Sequence, residues 1–187
     1  MRRSWRLSVA CSPERASASS LKPRRSWPGT EPSPYFAVVG GAILGWEGDY
    51  PEELKRLASS LHLQDRTVFT GHTSDVARWM AASDVVVNAS EPEPFGLVVV
   101  EAMACGCAVV ALAKGGPRDV VEHGHSGLLC PTREPPVLAD AILTLVKSPD
   151  LRMRLGRAAR AHIEASFTRE AMTHRFADIL RATVAAR

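Results

Sequence analysis

The sequence predicts an α/β protein: a Rossmann-like parallel sheet with helices on both faces. Three observations predict it. Short Val-rich apolar runs such as Val85-Val86-Val87 and Ala108–Leu112 lack the period-two alternation of a half-exposed strand, so they read as strands covered on both faces. Between them lie segments whose apolar residues recur at helical spacing. Gly and Pro clusters close most of the runs, so strands and helices alternate along the chain.

The elements follow in order. Residues 1–33 are dominated by Ser, Pro and Arg and are expected to be a poorly ordered or degenerate segment, with one α/β domain over 34–187. Tyr35-Phe36-Ala37-Val38-Val39, closed by Gly40-Gly41, reads as a buried strand. The glycines that follow run G-G-x-x-x-G to Gly45 rather than G-x-G-x-x-G, and no helix opens on them, which argues against a dinucleotide-binding oxidoreductase. Pro51, Glu52 and Glu53 suit the first turn of a helix, and Leu54, Leu57, Ala58 and Leu61 give it one apolar stripe. Strand Thr67–Thr70, helix Ser74–Ala82 and strand Asp84–Val87 come next. A helix from about Gly96 to Cys105 leads into strand Ala108–Leu112. Gly115-Gly116-Pro117 precedes a short helix reaching Glu122, and Gly127–Cys130 forms a last strand. Helices at about 136–147, 150–165 and 169–185 complete the domain, with Ser148 as an N-cap ahead of Pro149.

At 187 residues, 45% hydrophobic and 23% charged, the chain has the composition of a globular domain with a substantial core. The net charge of +3 is unevenly placed. Residues 1–34 carry seven Lys or Arg against two Glu, and the rest carry 16 basic against 18 acidic residues, so no nucleic-acid-binding face is expected. Cys11, Cys105, Cys107 and Cys130 include no C-x-x-C. A zinc site from Cys105, Cys107, His123 and His125 lacks structural-zinc spacing, and small buried thiols are the plainer reading. No apolar run approaches the roughly 18 residues needed to span a bilayer. The Arg- and Ser-rich start has a transit-peptide flavour but no apolar core segment. A cytoplasmic protein is expected, with peripheral attachment to the inner membrane face left open.

Two carboxylates stand out. Glu93 lies in the breaker cluster Asn88 to Pro94, and Glu101 lies eight residues on, inside the following helix. In a wound α/β sheet that loop sits at the carboxyl end of a strand, where ligands bind. A carboxylate accepts two hydrogen bonds from a vicinal diol, and a helix N-terminus presents free N–H groups to phosphate. The pair therefore suits a polyhydroxylated, phosphorylated ligand. Taken singly, Glu101 also reads as a solvated helix residue and Gly96 as a plain helix-start glycine.

Further strings surround the pair in order. They are Asp65-Arg66-Thr67-Val68-Phe69-Thr70-Gly71-His72, Ala82-Ser83-Asp84-Val85-Val86-Val87, Ala104-Cys105-Gly106-Cys107-Ala108-Val109-Val110-Ala111, Gly115-Gly116-Pro117, Gly124-His125-Ser126-Gly127-Leu128-Leu129 and Leu151-Arg152-Met153-Arg154-Leu155-Gly156. On these, the chain from Pro34 onward resembles the C-terminal, nucleotide-sugar-binding half of a family 4 glycosyltransferase of the two-domain GT-B architecture. The resemblance implies that Glu93 is the catalytic-site carboxylate that positions the donor sugar. The backbone of Pro94, Phe95, Gly96 and Leu97 would face the sugar and the diphosphate, and Glu101 would grip the ribose 2′- and 3′-hydroxyls. Gly71 and His72 would lie near the nucleobase, although His72 also reads as a surface polar residue.

The resemblance further implies a UDP-, GDP- or ADP-sugar donor, no metal and no cofactor, and retention of anomeric configuration. The acceptor (a glycan, lipid or small molecule) would be selected by a separate N-terminal domain. Some positions depart from the pattern. Leu7–Ala16 echoes the family's first strand, with Ala10 where an Arg is usual and Arg15 where a diphosphate-binding Lys is usual. Pro23 and Pro28 fall where a helix should follow, at a cost of about 3 kcal/mol each inside a helix. Ala108 replaces a common Pro and Asp119 a usual Glu. A degenerate or frame-shifted first unit is expected, a mis-called start in a truncated gene would look similar, and two other readings stand beside them. One is a non-catalytic nucleotide-sugar-binding module or partner subunit, the other an inactive fragment.

Overall fold

The computed structural model describes residues 6–10, 34–40, 50–91 and 93–185, with backbone alone for 6–10 and Tyr50. Six strands are β1 (Arg6–Ala10), β2 (Tyr35–Val39), β3 (Thr67–Gly71), β4 (Val85–Asn88), β5 (Ala108–Leu112) and β6 (Leu128–Cys130). The helices are α1 (Tyr50–Ser60), α2 (Val76–Ala82), α3 (Leu97–Ala104), α4 (Gly116–Val120), α5 (Pro135–Lys147), α6 (Pro149–Ser166) and α7 (Arg169–Ala185). One sheet holds all six strands in the order β3-β2-β1-β4-β5-β6. Five of them run parallel, as the uninterrupted apolar runs predict.

β1 is the exception. Arg6–Ala10 lies within residues 1–33, expected to be poorly ordered or degenerate, and overlaps the stretch Leu7–Ala16 that echoes the family's first strand; it forms a strand in the middle of the sheet, antiparallel to both β2 and β4. Backbone groups on the facing edges of β2 and β4 need partners, and a strand between them satisfies both ladders. The rest of 1–33, including Arg15, lies outside the described residues, as do Gly41 and Gly45 of the glycine run. A smaller difference is at α2, which begins at Val76 rather than Ser74. The Thr73 hydroxyl accepts the Asp75 N–H at 3.2 Å, holding that amide in a local turn.

Each face of the sheet has its own core. Val86, Val109 and Ala111 pack with Val98, Val99, Ala102 and Met103 of α3 and with Ala159 and Ile163 of α6. On the other face Val85, Val87, Val110 and Leu112 pack with Leu145 and Val146 of α5 and Leu155 of α6. Helix α6 therefore serves both cores. Burying each such side chain is worth about 1.5–3 kcal/mol, which is why these strands need no polar face. The start of α6 is fixed locally as well. Ser148 Oγ accepts the Leu151 N–H at 3.4 Å, and Arg152 Nη1 donates to the Leu145 and Val146 carbonyls at 2.7 and 2.8 Å, closing the end of α5. The Arg152 Nη2 also lies 3.7 Å from Asp84. Helix α7 differs from the rest, having no buried residue.

Candidate functional site

The carboxyl edge of the sheet is built outward from Asn88, the buried last residue of β4. Its side chain turns the chain and holds the Glu93 carboxylate. Asn88 Oδ1 accepts the Ser90 N–H at 2.9 Å, and Asn88 Nδ2 donates to Glu93 Oε2 at 3.3 Å. The other oxygen, Glu93 Oε1, accepts the Gly96 N–H at 3.0 Å. Glu93 is thus fixed in one orientation while each oxygen keeps a lone pair for a ligand hydroxyl. Gly96 takes φ +86° as the residue before α3, a left-handed turn that side chains resist. Its amide is committed to Glu93. Among the described residues no acceptor engages the amides of Phe95 or Leu97, both exposed residues.

The loop after β5 presses against the back of this turn. The Gly116 N–H donates to the Glu93 carbonyl at 3.0 Å. A Cβ on Gly115 would lie 2.3 Å from the Glu93 carbonyl oxygen, and one on Gly116 would lie 2.0 Å from that of Phe95. Only glycine permits this approach. The loops after β4, β5 and β6 are also joined by charge. Glu91 meets Lys114 Nζ at 2.8 Å and Arg133 Nε at 3.9 Å.

The remaining candidates occupy the same edge. Pro94, Phe95 and Leu97 are exposed around the start of α3. Glu101 is exposed one turn in, about 6 Å along the axis from Leu97. Gly71, at φ +63°, ends β3, and exposed His72 follows it. There the Thr70 hydroxyl accepts the Gly40 N–H at 3.3 Å and donates to the Gly71 carbonyl at 2.9 Å. β1 and β2 separate β3 from β4, so these two groups stand about 14 Å apart at usual strand spacing. The glycine and histidine thus share the carboxyl edge with Glu93 but do not touch it.

The cysteines fall elsewhere. Cys107 is buried and its Sγ donates to the Met80 carbonyl at 2.9 Å. Burial pushes the Cys105 thiol above its usual range, the nearby Glu101 charge adds to this, and Arg160 opposes it. Burial alone raises Cys130. His123 Nδ1 accepts the Leu129 N–H at 2.9 Å, and His125 Nδ1 pairs with Glu122 at 3.0 Å. Among the described residues no three His, Cys, Asp or Glu side chains are grouped as a metal would require. The sequence reading missed Asn88, Glu91, Lys114 and Arg133. Asn88 read only as a strand breaker, and the glycine pair only as a turn.

An α/β fold of parallel strands and helices matches the C-terminal domain of GT-B glycosyltransferases. The chain belongs to the glycosyl transferases group 1 family, whose sequence profile matches residues 18–162. It is 36% identical over 134 residues to the N-acetyl-alpha-D-glucosaminyl L-malate synthase of Bacillus anthracis, covering 71% of this chain and 35% of that protein. It is 42% identical over 125 residues to the D-inositol 3-phosphate glycosyltransferase of Frankia alni, covering 66% and 30%. Anabaena HepE, solved in complex with UDP, superposes with a TM-score of 0.72 at 37% identity, over 78% of this chain and 40% of HepE. The chain spans about a third of the length of these curated relatives. No helix among the described residues is long and apolar enough to cross a membrane.

Proposed function

We propose that this domain holds the nucleotide-sugar donor of a retaining family 4 glycosyltransferase, which moves a hexose from a UDP-, GDP- or ADP-sugar to an acceptor. The observation that carries this is the Glu93 carboxylate, held on both oxygens by Asn88 and Gly96 beside the open amides of α3. Glu93 then accepts hydrogen bonds from sugar hydroxyls and sets the position of the anomeric carbon. The Phe95 and Leu97 amides and the α3 dipole meet the sugar–diphosphate junction, the dipole contributing about 0.3–2 kcal/mol. Glu101 takes the ribose diol, and Gly71 and His72 border the base. In this mechanism the leaving diphosphate helps to deprotonate the acceptor, while the protein positions the reactants and stabilises charge without a bound metal. A cytoplasmic location follows from a nucleotide-sugar donor.

One observation favours a partner reading in parallel: the domain lends its donor edge to an acceptor-binding body not contained in this chain. Helix α7 exposes Met172, Phe176, Ile179, Leu180 and Val184. Phe95, at the donor site, lines one apolar groove with Phe167, Met172 and Phe176. An apolar surface running up to a binding site is expected where another body packs.

Calorimetric titration of the purified chain with UDP, GDP and ADP, and with their sugars, tests the donor site. Binding that disappears in Glu101→Ala is expected, and no binding of any of them would sink both readings and leave an inactive fragment. A donor-hydrolysis assay separates the two readings, because a module that only binds leaves the donor intact.

A further inference from the structure

The donor reading leaves a charge to be met. A nucleoside diphosphate is a polyanion, the end of α3 offers only about half a positive charge, and Glu91 and Glu93 make the same loop negative. β1 places its first residue, Arg6, at this edge, opposite Val39 at the end of β2. It runs against its neighbours, with Ala10 opposite Tyr35 at the start of β2, so the chain leaves β1 at the amino edge, away from Glu93. The loops after β5 and β6 also supply positive charge. Lys114 immediately precedes the Gly115-Gly116 pair that lies against the Glu93 and Phe95 carbonyls. Its ammonium sits 2.8 Å from Glu91 and its side chain is half exposed. An ammonium has three donors, so two remain beyond the bond to Glu91. The Glu91 carboxylate limits the wandering of a flexible four-carbon chain, and Arg133 approaches the same carboxylate from the next loop.

We infer that Lys114, oriented by Glu91 and supported by Arg133, is a cation that binds the donor diphosphate in this chain. This rests on the donor reading. The test is calorimetric titration of the whole chain with UDP and with uridine, run beside GDP with guanosine and ADP with adenosine. Lys114→Ala is expected to weaken the preferred diphosphate about ten- to hundredfold and its nucleoside by less than about twofold. Lys114→Arg keeps most of the diphosphate affinity. An unchanged thermal midpoint for Lys114→Ala accompanies these results, since the side chain is half exposed. Equal weakening of diphosphate and nucleoside, or no weakening of either, overturns the assignment while the donor site stands. If the unaltered chain binds none of the six compounds, the donor reading itself falls and takes this assignment with it.

Discussion

At the scale of single residues, Glu93 works by being held. Its oxygens meet two donors, the Gly96 amide and the Asn88 side chain, and a carboxylate can accept from both. Glu93→Gln puts an amide N–H₂ against one of those donors, so the loop should lose about 1–3 kcal/mol of support. Thermal unfolding will show a modest drop, and on the donor reading calorimetry a larger loss for UDP-glucose than for UDP, because the proposed sugar contact is the one removed. Glu101 has a second effect that reports on it without any ligand. Burial raises the Cys105 thiol first and Glu101 adds to the shift, so Glu101→Gln moves the thiol back toward its ordinary range. Iodoacetamide should then alkylate Cys105 faster at pH 8 in the variant than in the parent chain; an unchanged rate would mean that the carboxylate does not reach the thiol.

At the scale of elements, the closest approaches are made by glycines. A Cβ at position 156 would meet the Gly106 carbonyl oxygen at 2.2 Å, and one at 116 would meet that of Phe95 at 2.0 Å. Both Gly156→Ala and Gly116→Ala should cost about 1–3 kcal/mol in denaturant unfolding. They should differ in function. Gly156 seats α6 beneath β5 at the amino edge, so nucleotide binding survives there, whereas Gly116→Ala displaces the Glu93 turn and loses it. The same elements show what sequence could tell. The Ser148-Pro149 start of α6 was legible because a cap acts within three residues. Strands β4 and β5 were legible because burial on both faces leaves an unbroken apolar run. The direction of β1 was not, since pairing with Val38 and Val87 is decided far along the chain. Nor was the grip of Gly116 on Glu93, which joins residues 23 positions apart. The carboxylates themselves were legible; the groups that orient them were not, because orientation is a tertiary contact.

At the scale of the whole molecule, the domain is finished on two faces and bare along α7. Phe176 is 63% exposed and Val184 74% exposed, values unusual for large apolar residues on a helix that packs within its own domain. Phe176→Asp should therefore leave the unfolding midpoint of the isolated chain within about 0.5 kcal/mol of the parent, as a surface change does. Sedimentation with an acceptor-binding chain of a group 1 relative should show the parent associating and the variant failing to associate. A stability loss of several kcal/mol would instead mean that α7 folds back on its own domain.

The bond from the Gly116 amide to the Glu93 carbonyl also governs motion. With Glu91 joined to Lys114 and Arg133 alongside it, the turn after β4 cannot lift away unless the neighbouring turns travel with it. The Gly96 and Gly116 amides should therefore exchange with solvent as slowly as those of β5 in a hydrogen-exchange measurement.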